Sequence, residues 1–437
     1  MLITLMVLTR SLLLFRGELT TLLISLITLC SLIRLGLRTT SSIFLAKDTG
    51  LDVAGTLLSL ITIAVAVACI LISLTRNKQK AYWFLFLLIS RVRVKAFCTR
   101  RSLLFYIFFE VRLIPILLII LGWGYQPERL PAGTIMLFYT ILGSIPLLSI
   151  VALRSTFSFW RVSQVIDFHS VAGKSSALTQ LIITIAFLVK LPIFISHIWL
   201  PKAHTEAPVA GSIFLAATLL KLGGCGLLRF GGALANPWVN SFLIAISLSG
   251  LLWVGGICVI TTDIKVIIAY SSVAHIGLRL GALACLSRCG ILACLLILLT
   301  HRASSSYMFM QSFISYSRVG RRNILLNKGL GAWSPSFCGA WFLACLGILG
   351  APPTANILSE IITFLALVSQ STFSAFILVV GAVLAGAYSL SLFAITFQGV
   401  NNSANRLKPI NSLELMLMLY HSFWLVLIAG LVNTLFC

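Results

Sequence analysis

The chain has 437 residues, 59% of them hydrophobic and only 10% charged, with a mean hydropathy of +1.07. A soluble domain carries about 25% charged residues, so composition excludes a soluble globular fold and points to repeated crossing of a bilayer. The net charge of +22 does not signal nucleic acid, because the cations crowd into short segments between apolar runs, as in RNKQK (76–80), RVRVKAFCTRR (91–101) and RVGRR (318–322), where loop lysines and arginines flank membrane spans.

The N-terminus is apolar almost from Met1 and lacks an Arg- and Ser-rich amphipathic presequence, so residues 2–15 predict a first, retained span. Along the chain the apolar runs give about 14 spans of membrane length. They centre on 2–15, 19–37, 51–74, 81–97, 102–121, 133–153, 178–200, 207–229, 238–260, 264–285, 289–313, 336–369, 373–398 and 412–436. Runs this long and uniformly apolar mean helices, since lipid offers the backbone no partner. The predicted class is an all-α polytopic membrane protein with short loops. Its longest polar stretches are near 154–176 and 315–335.

Two spans are unusual. The seventh contains VKLPIF (189–194), and the twelfth, too long for one crossing, contains GAPPTANILSE (350–360). Proline removes a backbone donor and breaks the helical ladder. Such breaks at membrane depth are tolerated where the backbone lines a polar cavity. Paired broken helices are the pattern of inverted-repeat transporters. The predicted partition is helices 1–3 over residues 1–80, a first five-helix repeat over 81–229, an inverted second repeat over 238–398, and a loop with the last helix over 399–437.

A charge at the centre of a membrane helix costs about 2.5–3.5 kcal/mol on insertion scales, so each one asks for a reason. Glu110, in FYIFFEVRLIP, reads as an intramembrane carboxylate or as a span-edge acid paired with Arg112. Lys190 reads as the occupant of a cavity at the proline break or as a snorkelling lysine. Lys221 follows a clean apolar run, and Gly223 and Gly224 leave open a helix end with snorkelling. Glu360 follows the PPTAN break, where a positive helix dipole also favours an acid. His275 and His301 lie in or near spans, as relay groups or as hydrogen-bonded packing residues, whereas Asp263 and Lys265 start a span and read as interfacial. Serial titratable groups linked by water make a proton relay, and a lysine whose acidic partner approaches or withdraws is a proton switch. No carboxylate cage for a larger cation is apparent.

The 11 cysteines are scattered, with no CxxC; Cys285, Cys289 and Cys294 match neither zinc nor iron–sulfur spacing. HTEAP (204–208) is not HExxH, and no GxGxxG or phosphate-binding loop occurs. The expectation is a chain with no cofactor or metal of its own.

The segment WLPKAHTEAPVAGSIFLAATLLKLGG (199–224) resembles the antiporter-like chain 4 family of mitochondrial NADH:ubiquinone oxidoreductase, complex I, and its bacterial counterparts. So do residues 105–133, TDIKVIIAYSSVAHIGL (262–278) and GAPPTANILSE. The resemblance implies a 14-helix fold with two inverted five-helix repeats and broken helices 7 and 12. It places Glu110 on the fifth-helix acid, Lys190 on the lysine of the broken seventh helix, Lys221 on the eighth-helix lysine and Glu360 on the acid of the broken twelfth. His275 and His301 fall on relay positions between Lys221 and Glu360. It further implies proton translocation in the mitochondrial inner membrane, driven by quinone reduction elsewhere. Flavin, iron–sulfur clusters and ubiquinone would sit in other subunits, and chain 2-like and chain 5-like antiporter homologues and lipids would be the neighbours, with no nucleic acid. Alternatives sharing the fold are a cation/proton antiporter subunit and a membrane-bound hydrogenase subunit. The sequence departs from the family at Arg302, where glycine is usual, at Arg279, where an apolar residue is expected, and in the basic stretch 91–101.

Overall fold

The computed structural model describes residues 43–46, 49–51, 53–74, 80–99, 101–157, 177–230, 236–399 and 408–436. The predicted spans 2–15 and 19–37 lie outside the described residues, as does 158–176. A two-stranded antiparallel ribbon, β1 (Ile43–Ala46) with β2 (Thr49–Leu51), precedes the helices. Helices then follow in the predicted order: α1 (Val53–Leu74), α2 (Lys80–Cys98), α3 (Ser102–Val111), α4 (Leu113–Trp123) and α5 (Arg129–Phe157). After them come α6 (Ala177–Lys190), α7 (Trp199–Glu206), α8 (Val209–Phe214) and α9 (Leu220–Arg229), the last two joined by a π-helical turn, Leu215–Leu219. The remainder is α10 (Pro237–Ile260), α11 (Ile264–Ala284), α12 (Arg288–Val319), α13 (Pro335–Leu349), α14 (Asn356–Val368), α15 (Thr372–Phe397) and α16 (Ser412–Phe436).

Local chemistry sets many of the boundaries. The side chains of Asn236, Ser287, Ser334 and Ser371 accept backbone N–H bonds at the starts of α10, α12, α13 and α15, and Pro237 and Pro335 occupy first-turn positions that need no donor. Gly320 ends α12 in the left-handed conformation. Among the described residues, eight helices are long and apolar enough to cross a membrane. α2 fills the predicted fourth span but carries Lys80, Arg91, Arg93 and Lys95, and it is not among the eight.

Both predicted breaks exist. The seventh span is interrupted between α6 and α7, and the twelfth is two helices, α13 and α14. α12, 32 residues long, runs through the interior and packs on α8, α11, α13, α14 and α16. At its far end Arg318 grips the Glu414 carboxylate with both amino groups, Nη1 to Oε1 at 2.6 Å and Nη2 to Oε2, which ties α16 to the bundle.

Candidate functional site

α6 ends on Lys190. The Leu191 N–H still donates to Phe187 O at 2.8 Å, and Pro192 then has no donor with which to continue. Two freed carbonyls find side-chain donors: Ser196 Oγ donates to Leu188 O at 3.1 Å and Trp199 Nε1 to Val189 O at 3.1 Å. The helix therefore opens without stranding those polar groups in an apolar surround. Lys190 is fully buried, which removes the snorkelling alternative. Its ammonium donates to Glu110 Oε1 on α3 and stands 3.6 Å from the Phe109 ring centroid. Glu110 thus pairs with Lys190 across the bundle. Gly226 on α9 lets that helix press on α6, since a Cβ there would overlap the Phe187 ring.

Lys221 is also fully buried, and α9 continues past Gly223 and Gly224 to Arg229, so it is not a helix-end residue. Its ammonium donates to Ala216 O at 2.8 Å, inside the π-helical turn. Such turns recur at functional sites. The sequence reading missed this one, for LAATL carries no proline or other breaker.

Beyond Lys221 the rings of His275 on α11 and His301 on α12 lie 5.2 Å apart between centroids. His301 interacts electrostatically with Lys221, and His275 Nδ1 lies 3.4 Å from Glu360 Oε1. Among the described residues, both ring nitrogens of His301 and Nε2 of His275 are without hydrogen-bond partners. A cavity of ≈ 30 Å³ lined by His275, Glu360 and Tyr388 has room for a water. Glu360 is carried one turn into α14. Asn356 fixes the start of that helix by donating to Gly347 O and, at 3.2 Å, to Ser304 Oγ.

Gly350 turns the chain at the second break in the left-handed region, φ +70°, and a Cβ on it would overlap the Glu360 carboxylate. Gly350→Ala is expected to add about 1–2 kcal/mol of left-handed strain and to push Glu360 off His275. The proton translocation that the resemblance implies should fall while the amount of assembled protein holds, as measured by pH-dye quenching in membrane vesicles against immunoblot. Unchanged pumping would show that the carboxylate can shift without consequence.

Lys265 stands at the start of α11, as expected, but inside the protein: it is 5% exposed, and its ammonium donates to Thr205 O and Ala207 O, each at 3.3 Å. The end of α7 covers it, and the sequence could not show that contact across 60 residues. Glu206 beside it faces Arg322 at 3.7 Å. Asp263 does stand at the start of α11, where it bridges to Asn323.

Two broken helices, one bringing a lysine to an acid and the other an acid to a histidine inside a helical bundle, define the architecture of an antiporter-like membrane subunit. Known proteins narrow that class. Residues 100–385 match the family described as NADH:quinone oxidoreductase/Mrp antiporter, transmembrane. The chain is 41% identical to NADH-ubiquinone oxidoreductase chain 4 of Ceratitis capitata over 310 residues, 70% of this chain and 68% of the relative. In fold it is similar to a chain of respiratory complex I from Thermus thermophilus, with a TM-score of 0.85 and 22% identity over 98% of this chain and 94% of the other. It is also similar in fold to a chain of the Mrp complex from a Dietzia species, with a TM-score of 0.82 and 17% identity over 99% of this chain and 93% of the other. The chain belongs to the NADH-ubiquinone oxidoreductase chain 4 family.

Proposed function

We propose that protons cross this chain along Glu110, Lys190, Lys221, His301, His275 and Glu360. The chain is a multi-pass subunit of proton-translocating NADH:ubiquinone reductase in the mitochondrial inner membrane. The observation that carries the relay is the buried ammonium of Lys190 held on Glu110 at a helix end opened by Pro192. A lysine there keeps its proton while the carboxylate is near and releases it when the carboxylate moves away. The His275–Glu360 pair beside a water-sized cavity gives the relay a second acid-ended segment, and Lys221 interacts with His301 at its near end.

In this reading the chain holds no cofactor. Flavin, iron–sulfur clusters and ubiquinone belong to other subunits, and the flanks of this chain pack on chain 2-like and chain 5-like antiporter homologues and lipid. A subunit of a separate cation/proton antiporter or of a membrane hydrogenase would share the fold, so assembly is the deciding test. On native gels of mildly solubilised inner membrane the chain is expected to migrate with NADH-reducing activity and with the flavin and iron–sulfur signals. Migration in a smaller assembly lacking all three would favour the antiporter reading.

A further inference from the structure

Where this fold builds a place for arginine, it pairs it. Arg229, buried at the end of α9, donates to Ala96 O at 3.1 Å, to Thr99 O at 3.2 Å and to Phe97 O. Arg318 holds Glu414 with both amino groups, and Arg322 faces Glu206.

Four other arginines break that pattern. Arg93, Arg112, Arg279 and Arg302 are at most 1% exposed. Among the described residues, all three guanidinium nitrogens of Arg93 and of Arg279 lack a hydrogen-bond partner, as do two of Arg302 and one of Arg112. What they do touch is weak or neutral. Arg93 lies 5.0 Å from the Phe214 ring centroid and Arg112 4.9 Å from that of Phe109. Arg112 also donates to the carbonyls of Phe109 and Leu219, and Arg302 to that of Leu58. Of the described acids, Glu110 interacts with Arg112, but it is already held by Lys190. Instead the cations face one another: Arg93 interacts with Arg112 and Arg302, and Lys221 with Arg93, Arg279 and Arg302. A guanidinium cannot escape burial by losing its proton, and three of the four repel the ammonium at the middle of the relay.

We infer that the native polypeptide carries serine at Arg93, Arg112, Arg279 and Arg302, because the organellar gene spells these positions AGA or AGG, triplets that some mitochondrial codes read as serine and the standard code as arginine. The inference rests on the mitochondrial location stated above. On the helices that carry Arg93, Arg279 and Arg302, Ser90, Ser272 and Ser304 donate to carbonyls three residues back, at 2.8, 2.6 and 3.2 Å, so a serine there is satisfied by its own helix. Exchanging guanidinium for hydroxyl also frees polar space beside Lys221 and His301, where a relay needs water.

The test uses the protein from its own membrane. The purified complex is digested with chymotrypsin and read by tandem mass spectrometry, and the gene triplets at the same positions are sequenced. The expected result is serine in the peptides and AGA or AGG in the gene at all four positions, with arginine from CG-initial triplets at Arg229, Arg318 and Arg322 as internal controls. Arginine in the peptides at any of the four, or a CG-initial triplet there, overturns the inference. Neither result depends on proton translocation. A chain that fails to purify with the complex counts against the proposed function alone, and the triplets still decide this inference.

Discussion

Lys190→Met is expected to leave the chain assembled and to lower proton pumping, with the quinone reduction coupled to it, by about a hundredfold, the scale of losing one positioned proton-transfer group. Methionine matches lysine in length and suits a fully buried place against the Phe109 ring. The bundle is therefore expected to survive while the relay loses its switch. Lys190→Arg keeps the charge but holds its proton at any accessible pH, and it should impair pumping as well. The measurement is proton uptake per NADH oxidised in coupled membrane particles, beside the amount of complex on native gels. Normal pumping by an assembled methionine variant would reduce Lys190 to a packing residue.

Glu360→Gln should separate the distal half of the relay from the proximal half. Glutamine keeps the shape and the contact with Gly350 but cannot accept a proton from His275, 3.4 Å away. Pumping is expected to fall on the order of tenfold to a hundredfold, while the Glu110–Lys190 pair stays intact. Combining Glu360→Gln with Lys190→Met should cost little more than Lys190→Met alone, because the proposed relay puts both in one series path. A double variant whose loss is the product of the single losses would mean two independent paths.

Much of this was legible before any coordinates. The spans follow from uniform apolar runs, the two breaks from Pro192 and from Pro352–Pro353, and the suspect charges from the cost of placing them in lipid. The chain alone marked Glu110, Lys190, Lys221 and Glu360 as costly, and the fold gives each a buried or partly buried place. What pairs with what was a different matter. Glu110 meets Lys190 across 80 residues, and no local rule reports such a meeting. The side chains of Ser196 and Trp199 that satisfy the open end of α6, the π-helical turn that supplies Ala216 O to Lys221, and the contact of Gly350 with Glu360 all arise when separate helices pack.

The sequence by itself determined that this chain lives in a membrane, where the described helices run, and which side chains are costly to place there. Hydropathy and backbone chemistry act locally, so they can be read residue by residue. The tertiary structure alone decided that Lys190 rests on Glu110, that His275 faces Glu360, that Lys265 is covered by the end of α7, and that Arg229 is paired while Arg93 and Arg279 are not. Each of those depends on which distant helices become neighbours, and a buried charge is stable or ruinous according to the partner that packing brings to it.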